Sequence, residues 1–471
     1  MTRIKTDLLV IGAGSGGLSV AAGAVQMGAD VTLLEGDKMG GDCLNYGCVP
    51  SKALLAAGHA AHAMGAGAAM GITPVVPEID YAAAKDHVAG VIGQIAPVDS
   101  QERFEGLGVR VIREYGHFTG PRTVRAGATE ITARRIVIST GSSPLVPPIP
   151  GLGQVPYLTN ETLFDLRDKP DHLLIIGGGP IGMEMAQAHR RLGCQVTVIE
   201  GMTALGKDDP ELAAIALENL RAEGVEIVEN AQAQQITGRD GQITVETPKG
   251  AFTGSHLLVA VGRKPNIDTL DLEKAGIETT RAGIKVDDRL RSSNHKVYAI
   301  GDVAGGLQFT HVAGYHAGLI IKQVLFGLPA RVNTAHIPWA TFTDPEIAQV
   351  GLTEAQARDL YGDRMEVARF DYSHNDRAIA LRQDKGLIKV MVVKGRPVGA
   401  SIVGYQAGEL IATWSLAIAN KIKMSGISAM IAPYPTIAEL NKRVAGAYFS
   451  PRLFDNLAVK RVVRLVQKLL P

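Results

Sequence analysis

Two cysteines five residues apart are the residues of this sequence with the clearest chemical potential. Cys43 and Cys48 lie in the segment GGDCLNYGCVPSK, which spans residues 40–52. A pair at this spacing can close a small disulfide loop. Pro50 favours the first turn of a helix, so we expect Cys48 near a helix N-terminus, where the pKa of a thiol falls. Lys52 follows one turn later and adds positive charge.

A structural or metal-binding role is the alternative for these cysteines. The chain has three cysteines, and the third is Cys194. No second cysteine pair and no histidine cluster completes a metal set, so the sequence predicts no metal ligand. We expect Cys194 to be a buried structural thiol at the end of a helix.

A strand, a glycine-rich turn, a helix and a second strand occur twice in the chain. The acid that closes each copy follows its first glycine at the same spacing. The glycines are Gly12, Gly14 and Gly17 in the first copy and Gly177, Gly179 and Gly182 in the second, and the acids are Glu35 and Glu200. Such turns let the backbone approach a pyrophosphate at a helix N-terminus, while the acid accepts hydrogen bonds from ribose hydroxyls. Ordinary tight turns are the alternative, but two copies in this context indicate two dinucleotide-binding domains.

The sequence resembles the class I pyridine nucleotide-disulfide oxidoreductases, a family that includes dihydrolipoamide dehydrogenase, glutathione reductase and mercuric reductase. The resemblance extends from about Asp7 to Phe449. It rests on the cysteine segment, both glycine turns, Ser-Thr-Gly at 139–141, Ala-Ile-Gly-Asp at 299–302 and Pro-Tyr-Pro-Thr-Ile-Ala-Glu at 433–439.

The resemblance implies a role for each matching residue. Cys48 would face the isoalloxazine of FAD as a thiolate, and Cys43 would exchange electrons with the substrate. Lys52 would lie near the flavin, with Glu184 as its ion-pair partner. The first glycine turn and Asp302 would bind FAD, and the second turn would bind the nicotinamide nucleotide. Further cofactor contacts are implied for Gly41, Thr140, Gly141, Gly262, Arg263 and His311.

The resemblance also implies the fold and the assembly. We predict an α/β protein with two Rossmann-like domains, for FAD and NAD, and a C-terminal α+β dimerisation domain. The predicted boundaries are 1–150 and 266–335 for the FAD-binding domain, 151–265 for the NAD(P)-binding domain, 336–450 for the dimerisation domain and 451–471 for a C-terminal helix. The family forms homodimers in which the C-terminal domain of one subunit completes the active site of its partner.

The identity of the nucleotide follows from Glu200. A 2′-phosphate would meet the negative charge of this side chain, and the residues that follow, Gly201-Met202-Thr203, include no basic replacement. The sequence therefore favours NADH over NADPH.

Tyr434 is the main departure from the family. Dihydrolipoamide dehydrogenases and glutathione reductases have a histidine here, paired with the glutamate that corresponds to Glu439. A phenol with an ordinary pKa of about 10 is a poor base near neutral pH. Mercuric reductases also have tyrosine at this position, but they carry a cysteine pair near the C-terminus, and residues 451–471 contain none. A disulfide or dithiol substrate is our main hypothesis, and metal-ion reduction is the alternative.

Asp42 is a smaller departure, because threonine is usual at this position. A carboxylate beside Cys43 should disfavour the thiolate form of that cysteine.

The C-terminal segment has the pattern of a basic amphipathic helix. Between Asp455 and Leu470, valines and leucines fall on one face and Lys460, Arg461, Arg464 and Lys468 on the other. The apolar face either docks on the enzyme or its dimer partner, or it contacts an anionic membrane. A third hypothesis is that the chain is a flavoprotein subunit that this helix recruits to a larger complex.

The composition restricts the remaining options. The formal net charge of +1 provides no field that would attract nucleic acid, and 46% apolar residues suffice for a full core. The first residues do not resemble a secretory signal, and no apolar run is long enough to span a bilayer. We expect a cytoplasmic enzyme, with peripheral membrane contact if the C-terminal helix binds lipid.

Overall fold

The computed structural model describes residues 2–470. These residues form two compact units, which are described separately. The first comprises 2–177, 188–199 and 231–332, and the second comprises 178–187, 200–230 and 333–470. The helix Pro180–Arg191 begins in the second unit and ends in the first.

A seven-stranded sheet organises the first unit. Its strands, in spatial order, are Arg110–Ile112, Val31–Leu34, Thr2–Ile11, Thr129–Ile138, Thr123–Ala126 and Gly116–Gly120, and Val297–Ala299 also pairs with Thr129–Ile138. The strand Thr2–Ile11 is parallel to both of its neighbours, as expected for alternating strands and helices. Because side chains alternate along a strand, Leu8 and Val10 enter one apolar cluster, while Leu9 and Ile11 enter another.

Helices connect these strands and carry the segments that the sequence analysis singled out. They are Ser15–Gln26, Gly41–Asn45, Cys48–Gly65, Tyr81–Ile95, Gln101–Gly106, Asn160–Leu163 and Thr310–Val324. The first and last of them pack against each other through Leu18, Val20, Ala317 and Ile320, which share one apolar cluster. This packing fixes both helix N-termini relative to the sheet.

A second parallel sheet carries the second glycine turn. His172–Ile176 pairs with Gln195–Ile199 on one side and with His256–Val259 on the other. The other strands of the first unit form an antiparallel sheet of Gln235–Arg239, Gln242–Thr247 and Gly250–Gly254 and two strand pairs, Ser142–Pro144 with Arg263–Pro265 and Thr279–Thr280 with Gly283–Ile284.

The second unit contains a five-stranded antiparallel sheet. Its strands, in spatial order, are Pro338–Thr341, Glu346–Gly351, Arg396–Gly404, Leu387–Val393 and Met365–Asp371. The unit also contains the strand Glu226–Val228 and the helices Pro210–Ala222, Glu354–Tyr361, Asp376–Leu381, Ala407–Ala419, Met424–Ser428, Glu439–Phe454 and Leu457–Leu469. Trp414 is fully buried in the core of this unit, and its indole N–H donates a hydrogen bond to Asn441 at 2.7 Å.

An ionic cluster around a buried lysine joins the helix Pro210–Ala222 to this sheet. The Lys389 ammonium lies 2.8, 3.0 and 2.8 Å from carboxylate oxygens of Asp209, Glu211 and Glu354, respectively. Asp209 also caps the N-terminus of the helix. Because a buried lysine is stable only when it is paired, this cluster holds the helix in one position.

The predicted α/β fold is confirmed, with differences at two element ends. The sequence from Lys296 to Asp302 has the pattern of a strand that ends in an acid, but the strand ends at Ala299 and Asp302 lies in the 3₁₀ helix Gly301–Ala304. Gly301 has a φ of +67°, which an extended strand does not accommodate. The C-terminal helix begins at Leu457, after a cap at Asn456.

The predicted domain boundaries stay predictions, and Met1 and Pro471 lie outside the described residues. None of the helices within residues 2–470 combines the length and the apolar character that crossing a bilayer requires.

Candidate active site

The two cysteines lie where one short helix is followed by the start of another. Cys43 belongs to the helix Gly41–Asn45, and Cys48 is the first residue of the helix Cys48–Gly65, near whose N-terminus it was predicted to lie. Within residues 2–470, no side chain caps this second helix. Its first amide groups therefore leave partial positive charge beside the Cys48 sulfur, which favours the thiolate.

The two thiols ionise differently. A hydrogen bond from the Cys43 thiol is the main reason that the pKa of Cys48 falls to about 6, although burial opposes it. The Thr310 hydroxyl, 3.3 Å from the Cys48 sulfur, lowers this pKa further. The charge of Lys52 acts in the same direction, and that of Asp42 opposes it. The shared hydrogen bond, burial and the Cys48 charge raise the pKa of Cys43, so at neutral pH the one proton of the pair stays on Cys43.

Lys52 is tied to the first turn of the same helix. Its ammonium donates to the Ser51 hydroxyl at 3.3 Å, and this hydroxyl donates to the Cys48 carbonyl at 3.2 Å. The pairing of Lys52 with Glu184 stays a prediction. Glu184 is buried, and its carboxylate accepts a hydrogen bond from the Phe342 backbone N–H at 3.0 Å.

Arg263 connects the cysteine segment to a predicted flavin-binding residue. Its Nη2 lies 3.0 Å from Asp42 Oδ1, and its Nε lies 3.7 Å from Asp302 Oδ2. The guanidinium also donates to the hydroxyl and the carbonyl of Ser142, at 2.7 and 2.6 Å. The Ser142 hydroxyl in turn donates to Asp302 at 2.6 Å. Arg263 therefore compensates the charge of Asp42 next to Cys43.

Three residues of this network escaped the sequence analysis. Asn160 Nδ2 donates to Asp42 Oδ1 and to the Tyr46 carbonyl, both at 3.1 Å, and Ser142 and Thr310 make the contacts described above. The partners of Asn160 and Ser142 are distant in the sequence, so no local pattern could have identified these residues. Thr310 is the first residue of the helix Thr310–Val324.

The first glycine turn has backbone contacts that exclude a side chain. Gly12 has a φ of +103°, and a Cβ there would lie 2.5 Å from the Ser139 carbonyl oxygen. A Cβ on Gly17 would lie 1.9 Å from the Gly12 carbonyl oxygen. Within residues 2–470, no side chain caps the helix Ser15–Gln26 that follows. Its N-terminal amides are therefore available to an anion such as a pyrophosphate.

The acids that close the two glycine turns are held in the same way. In both, one carboxylate oxygen accepts from the residue after the first glycine, and the other accepts from the residue two positions after the acid. The donors are the N–H groups of Ala13 and Asp37 for Glu35, at 2.7 and 2.8 Å, and of Gly178 and Met202 for Glu200, at 2.6 and 2.8 Å. Each oxygen keeps a lone pair for a ribose hydroxyl.

The second turn repeats the crowding of the first at its first glycine. Gly177 has a φ of +113°, and a Cβ there would lie 2.4 Å from the Ala260 carbonyl oxygen. A Cβ on Gly179 would meet no atom of residues 2–470 within 4 Å, so the chain leaves open space at this glycine. Gly262, beyond the third strand of this sheet, has a φ of +142°.

Further residues with a predicted cofactor role surround the first turn. A Cβ on Gly41 would lie 2.7 Å from the Gly14 Cα. The Thr140 hydroxyl donates to the Asn266 carbonyl at 2.7 Å, and the Asn266 N–H donates to the Gly141 carbonyl at 3.0 Å. These close backbone contacts, the uncapped helix and the held acid together fit the pyrophosphate and ribose of FAD.

Two histidines follow Asp302 in the chain. The His311 ring stacks on Phe309, with 5.3 Å between ring centroids. His316 is buried, and its Nδ1 accepts a hydrogen bond from the Gly301 N–H at 3.2 Å. Burial lowers the pKa of His316 to about 4. This neutral imidazole is therefore an acceptor that fixes the backbone beside Asp302.

Tyr434 lies at the surface of the second unit, with 69% of its area exposed. Its hydroxyl donates a hydrogen bond to Asp376 Oδ2 at 2.8 Å, and this bond and the Asp376 charge raise the pKa of Tyr434 above its ordinary value. Glu439 pairs with Arg443 at 2.8 Å. The phenol is therefore a hydrogen-bond donor at neutral pH rather than a base.

The third cysteine has the surroundings of a structural thiol. Cys194 is fully buried, and burial raises its pKa to about 11. Elsewhere in residues 2–470, no group of three or more His, Cys, Asp or Glu side chains is arranged to hold a metal ion.

Comparison with known proteins gives matches along nearly the whole chain. The family model of the pyridine nucleotide-disulphide oxidoreductases matches residues 6–317, and the model of the dimerisation domain of this family matches residues 337–445. A mercuric reductase of Lysinibacillus sphaericus is 34% identical over 443 residues, which cover 92% of this chain and 81% of the relative. A dihydrolipoyl dehydrogenase of Geobacillus stearothermophilus is 35% identical over 455 residues, which cover 94% of this chain and 96% of the relative.

Solved structures give the same result. The Cu(II) complex of the HOCl-induced flavoprotein disulfide reductase RclA from Escherichia coli is 28% identical, with a TM-score of 0.83 over 93% of this chain and 99% of that one. LpdA from Mycobacterium tuberculosis is 26% identical, with a TM-score of 0.86 over 95% of this chain and all of that one. The chain therefore belongs to the pyridine nucleotide-disulphide oxidoreductases, FAD-dependent enzymes that use a pyridine nucleotide, and it includes their dimerisation domain.

Proposed function

We propose that this enzyme passes electrons from NADH to an acceptor disulfide through bound FAD and the Cys43–Cys48 pair. The unequal ionisation of the two thiols is the observation that carries this proposal. With a pKa of about 6, Cys48 is a thiolate at neutral pH, whereas Cys43 keeps its proton. This difference suits one sulfur that faces the cofactor and one that exchanges with a substrate.

The two thiols can complete a balanced exchange. Cys43 loses its proton and attacks one sulfur of the acceptor disulfide, and the first product leaves as a thiolate and is protonated. The Cys48 thiolate then attacks the Cys43 sulfur, which releases the second product and forms the Cys43–Cys48 disulfide. Bound FAD supplies the two-electron chemistry by which NADH reopens this disulfide. Overall, NADH, one proton and a disulfide give NAD⁺ and two thiols.

NADH is the nucleotide that we propose, on the basis of Glu200. Two backbone N–H groups hold this carboxylate, and if it accepts from the ribose hydroxyls as proposed, a 2′-phosphate there would meet a like charge. Replacing Glu200 with Gln should therefore raise the ratio of kcat/KM for NADPH to that for NADH by about tenfold. Steady-state kinetics with both nucleotides measure this ratio, and an unchanged ratio would contradict the assignment.

Tyr434 sets the expected limit on turnover with thiol substrates. In the proposed homodimer, the C-terminal region of each subunit completes the active site of its partner, so Tyr434 would stand near the interchange thiol. The raised pKa of its phenol means that it cannot remove the Cys43 proton near neutral pH. We therefore propose a slow reaction with lipoamide.

Metal-ion reduction is the second candidate. The raised pKa of Tyr434 favours it as well. Reduction of Hg²⁺ to Hg⁰, or of two Cu²⁺ to two Cu⁺, takes two electrons from NADH and releases one proton. The metal itself accepts no proton, so an acid–base residue beside Cys43 matters less than in disulfide exchange. Relatives named mercuric reductase, and a relative with a Cu(II) complex, support testing both ions. Soft thiolates are suitable ligands for Hg²⁺ and for the Cu⁺ that the reaction produces.

The decisive experiment measures NADH consumption by the wild type and by Tyr434→His side by side. The acceptors are lipoamide, Hg²⁺ and Cu²⁺. If Tyr434 lies beside the interchange thiol as proposed, Tyr434→His should reduce lipoamide about 10- to 100-fold faster than the wild type at pH 7. The reason is that an imidazole can shuttle the proton. Its rate with the metal ions should change little.

The outcomes separate the candidates. Slow lipoamide turnover by the wild type together with fast turnover of a metal ion would favour the second candidate. Fast lipoamide turnover by the wild type would favour a dihydrolipoamide dehydrogenase. It would contradict our inference that the Tyr434 phenol makes the reaction with lipoamide slow. NADH consumption that persists after Cys43 and Cys48 are both replaced would reject the dithiol as the route to either acceptor.

A further inference from the structure

The C-terminal helix Leu457–Leu469 is a separate element with its own start signal. The Asn456 side chain caps it and accepts hydrogen bonds from the N–H groups of Ala458 and Val459, at 2.9 and 3.3 Å. This cap separates it from the preceding helix Glu439–Phe454. The helix also lies beyond residue 445, where the family's dimerisation model ends. The matched part of the dimerisation domain therefore does not explain it.

One face of this helix is apolar and exposed. At 100° per residue, seven of the eight valine and leucine side chains between Leu457 and Leu470 fall within an arc of about 160°. They are Val459, Val462, Val463, Leu465, Val466, Leu469 and Leu470, and all except the half-buried Val459 are exposed. Just before the helix, Leu453 and Phe454 are also exposed. Contiguous exposed apolar surface of this kind marks an interaction site.

The opposite face carries a single sign of charge. Lys460, Arg461, Arg464 and Lys468 lie there, and the helix contains no acidic residue. This differs from the chain as a whole, in which 48 basic residues balance 47 acidic ones. A surface that receives the apolar face should therefore present negative charge along both edges of the helix.

We propose that this helix binds the enzyme to the surface of a bilayer that contains anionic lipid. Acyl chains would receive the aliphatic face, and lipid phosphates would pair with the lysines and arginines at its edges. With 13 residues the helix is about 20 Å long, too short to cross a bilayer and suited to lie along its surface. The helix supplies both binding terms, apolar burial and basic charge, that stable peripheral attachment needs.

Vesicle sedimentation with the full-length holoenzyme tests the proposal. Vesicles of phosphatidylcholine with one-quarter phosphatidylglycerol should sediment the wild type, whereas pure phosphatidylcholine vesicles should sediment much less of it. Leu469→Glu places a charge in the apolar face and should weaken binding at least tenfold. Leu457→Glu is the matched control. It makes the same change in an exposed leucine of the same helix, but one that lies within the basic face.

The control should lose only the effect of one charge, about fivefold at most. The proposal is wrong if the wild type ignores anionic vesicles, or if Leu457→Glu and Leu469→Glu weaken binding equally. Size-exclusion chromatography of both variants adds a second criterion. If Leu469→Glu turns the dimer into a monomer, the apolar face belongs to the subunit interface and the proposal is overturned. NADH oxidation without vesicles should be the same in all three proteins.

Discussion

The cysteine segment and the Tyr434 segment stand in opposite environments. Around Cys48, a helix start, a neighbouring thiol and a threonine hydroxyl bring the pKa to about 6. Tyr434 is largely exposed, and its hydrogen bond to Asp376 moves its pKa away from neutrality. Cys48 is therefore a thiolate at neutral pH, whereas the Tyr434 phenol keeps its proton and cannot serve as a base.

This difference bears on the choice of acceptor. The side chains that shift the pKa of Cys48, those of Cys43, Thr310, Lys52 and Asp42, all belong to the first unit. In the proposed homodimer, proton transfer at Cys43 would depend on Tyr434, whose phenol has a raised pKa. An acceptor that needs no proton from the enzyme, or a slow disulfide substrate, suits this combination better than a fast dithiol substrate does.

The largest expected effect comes from the thiol on which exchange depends. We expect Cys43→Ser to reduce disulfide turnover by about a thousandfold or more, because serine cannot form the mixed disulfide. Flavin reduction by NADH, followed by stopped-flow absorbance, should stay intact. Cys194→Ala is the control, since Cys194 is buried and should leave turnover unchanged. Loss of flavin reduction in Cys43→Ser would contradict the assigned roles.

The pH dependence of turnover should reflect the ionisation of the Cys48 thiol and not that of the Tyr434 phenol. The Cys48 thiolate forms as the pH rises through about 6, so its long-wavelength absorbance against oxidised flavin should be lost below that pH. Turnover that needs the thiolate should fall by about tenfold per pH unit on the acidic side. Because the pKa of Tyr434 is raised, Tyr434→Phe should leave the profile between pH 5 and 9 unchanged. A loss of turnover on the basic side of the profile below pH 9 that disappears in Tyr434→Phe would show that Tyr434 titrates in this range, against the contrast between Cys48 and Tyr434.

Much of the cysteine site was predictable because its signals are local. The position of Cys48 near a helix start follows from residues within one turn of it, and each glycine turn is encoded in a short segment. The contacts of Arg263 with Asp42 and of Asn160 with Tyr46 join residues more than 100 positions apart, and only the folded chain brings them together. The bond between Tyr434 and Asp376, which spans 58 positions, was missed for the same reason.

The smallest expected effect is also the sharpest test of how the Cys48 pKa is set. Asp42 raises this pKa and Thr310 lowers it. Asp42→Asn should therefore move the midpoint of the thiolate absorbance to lower pH, and Thr310→Val should move it to higher pH, each by about half a pH unit. Thr310→Ser, which keeps the hydroxyl, should leave the midpoint in place.

The opposite signs make this pair more informative than either variant alone. A general loosening of the site would shift both midpoints in the same direction. Charge and hydrogen bonding act separately on one sulfur, so their effects should nearly cancel in the double variant. If neither single variant shifts the midpoint, the helix start and the Cys43 thiol set the pKa of Cys48 without these two residues. The contrast with Tyr434 would then rest on the helix and the second thiol alone.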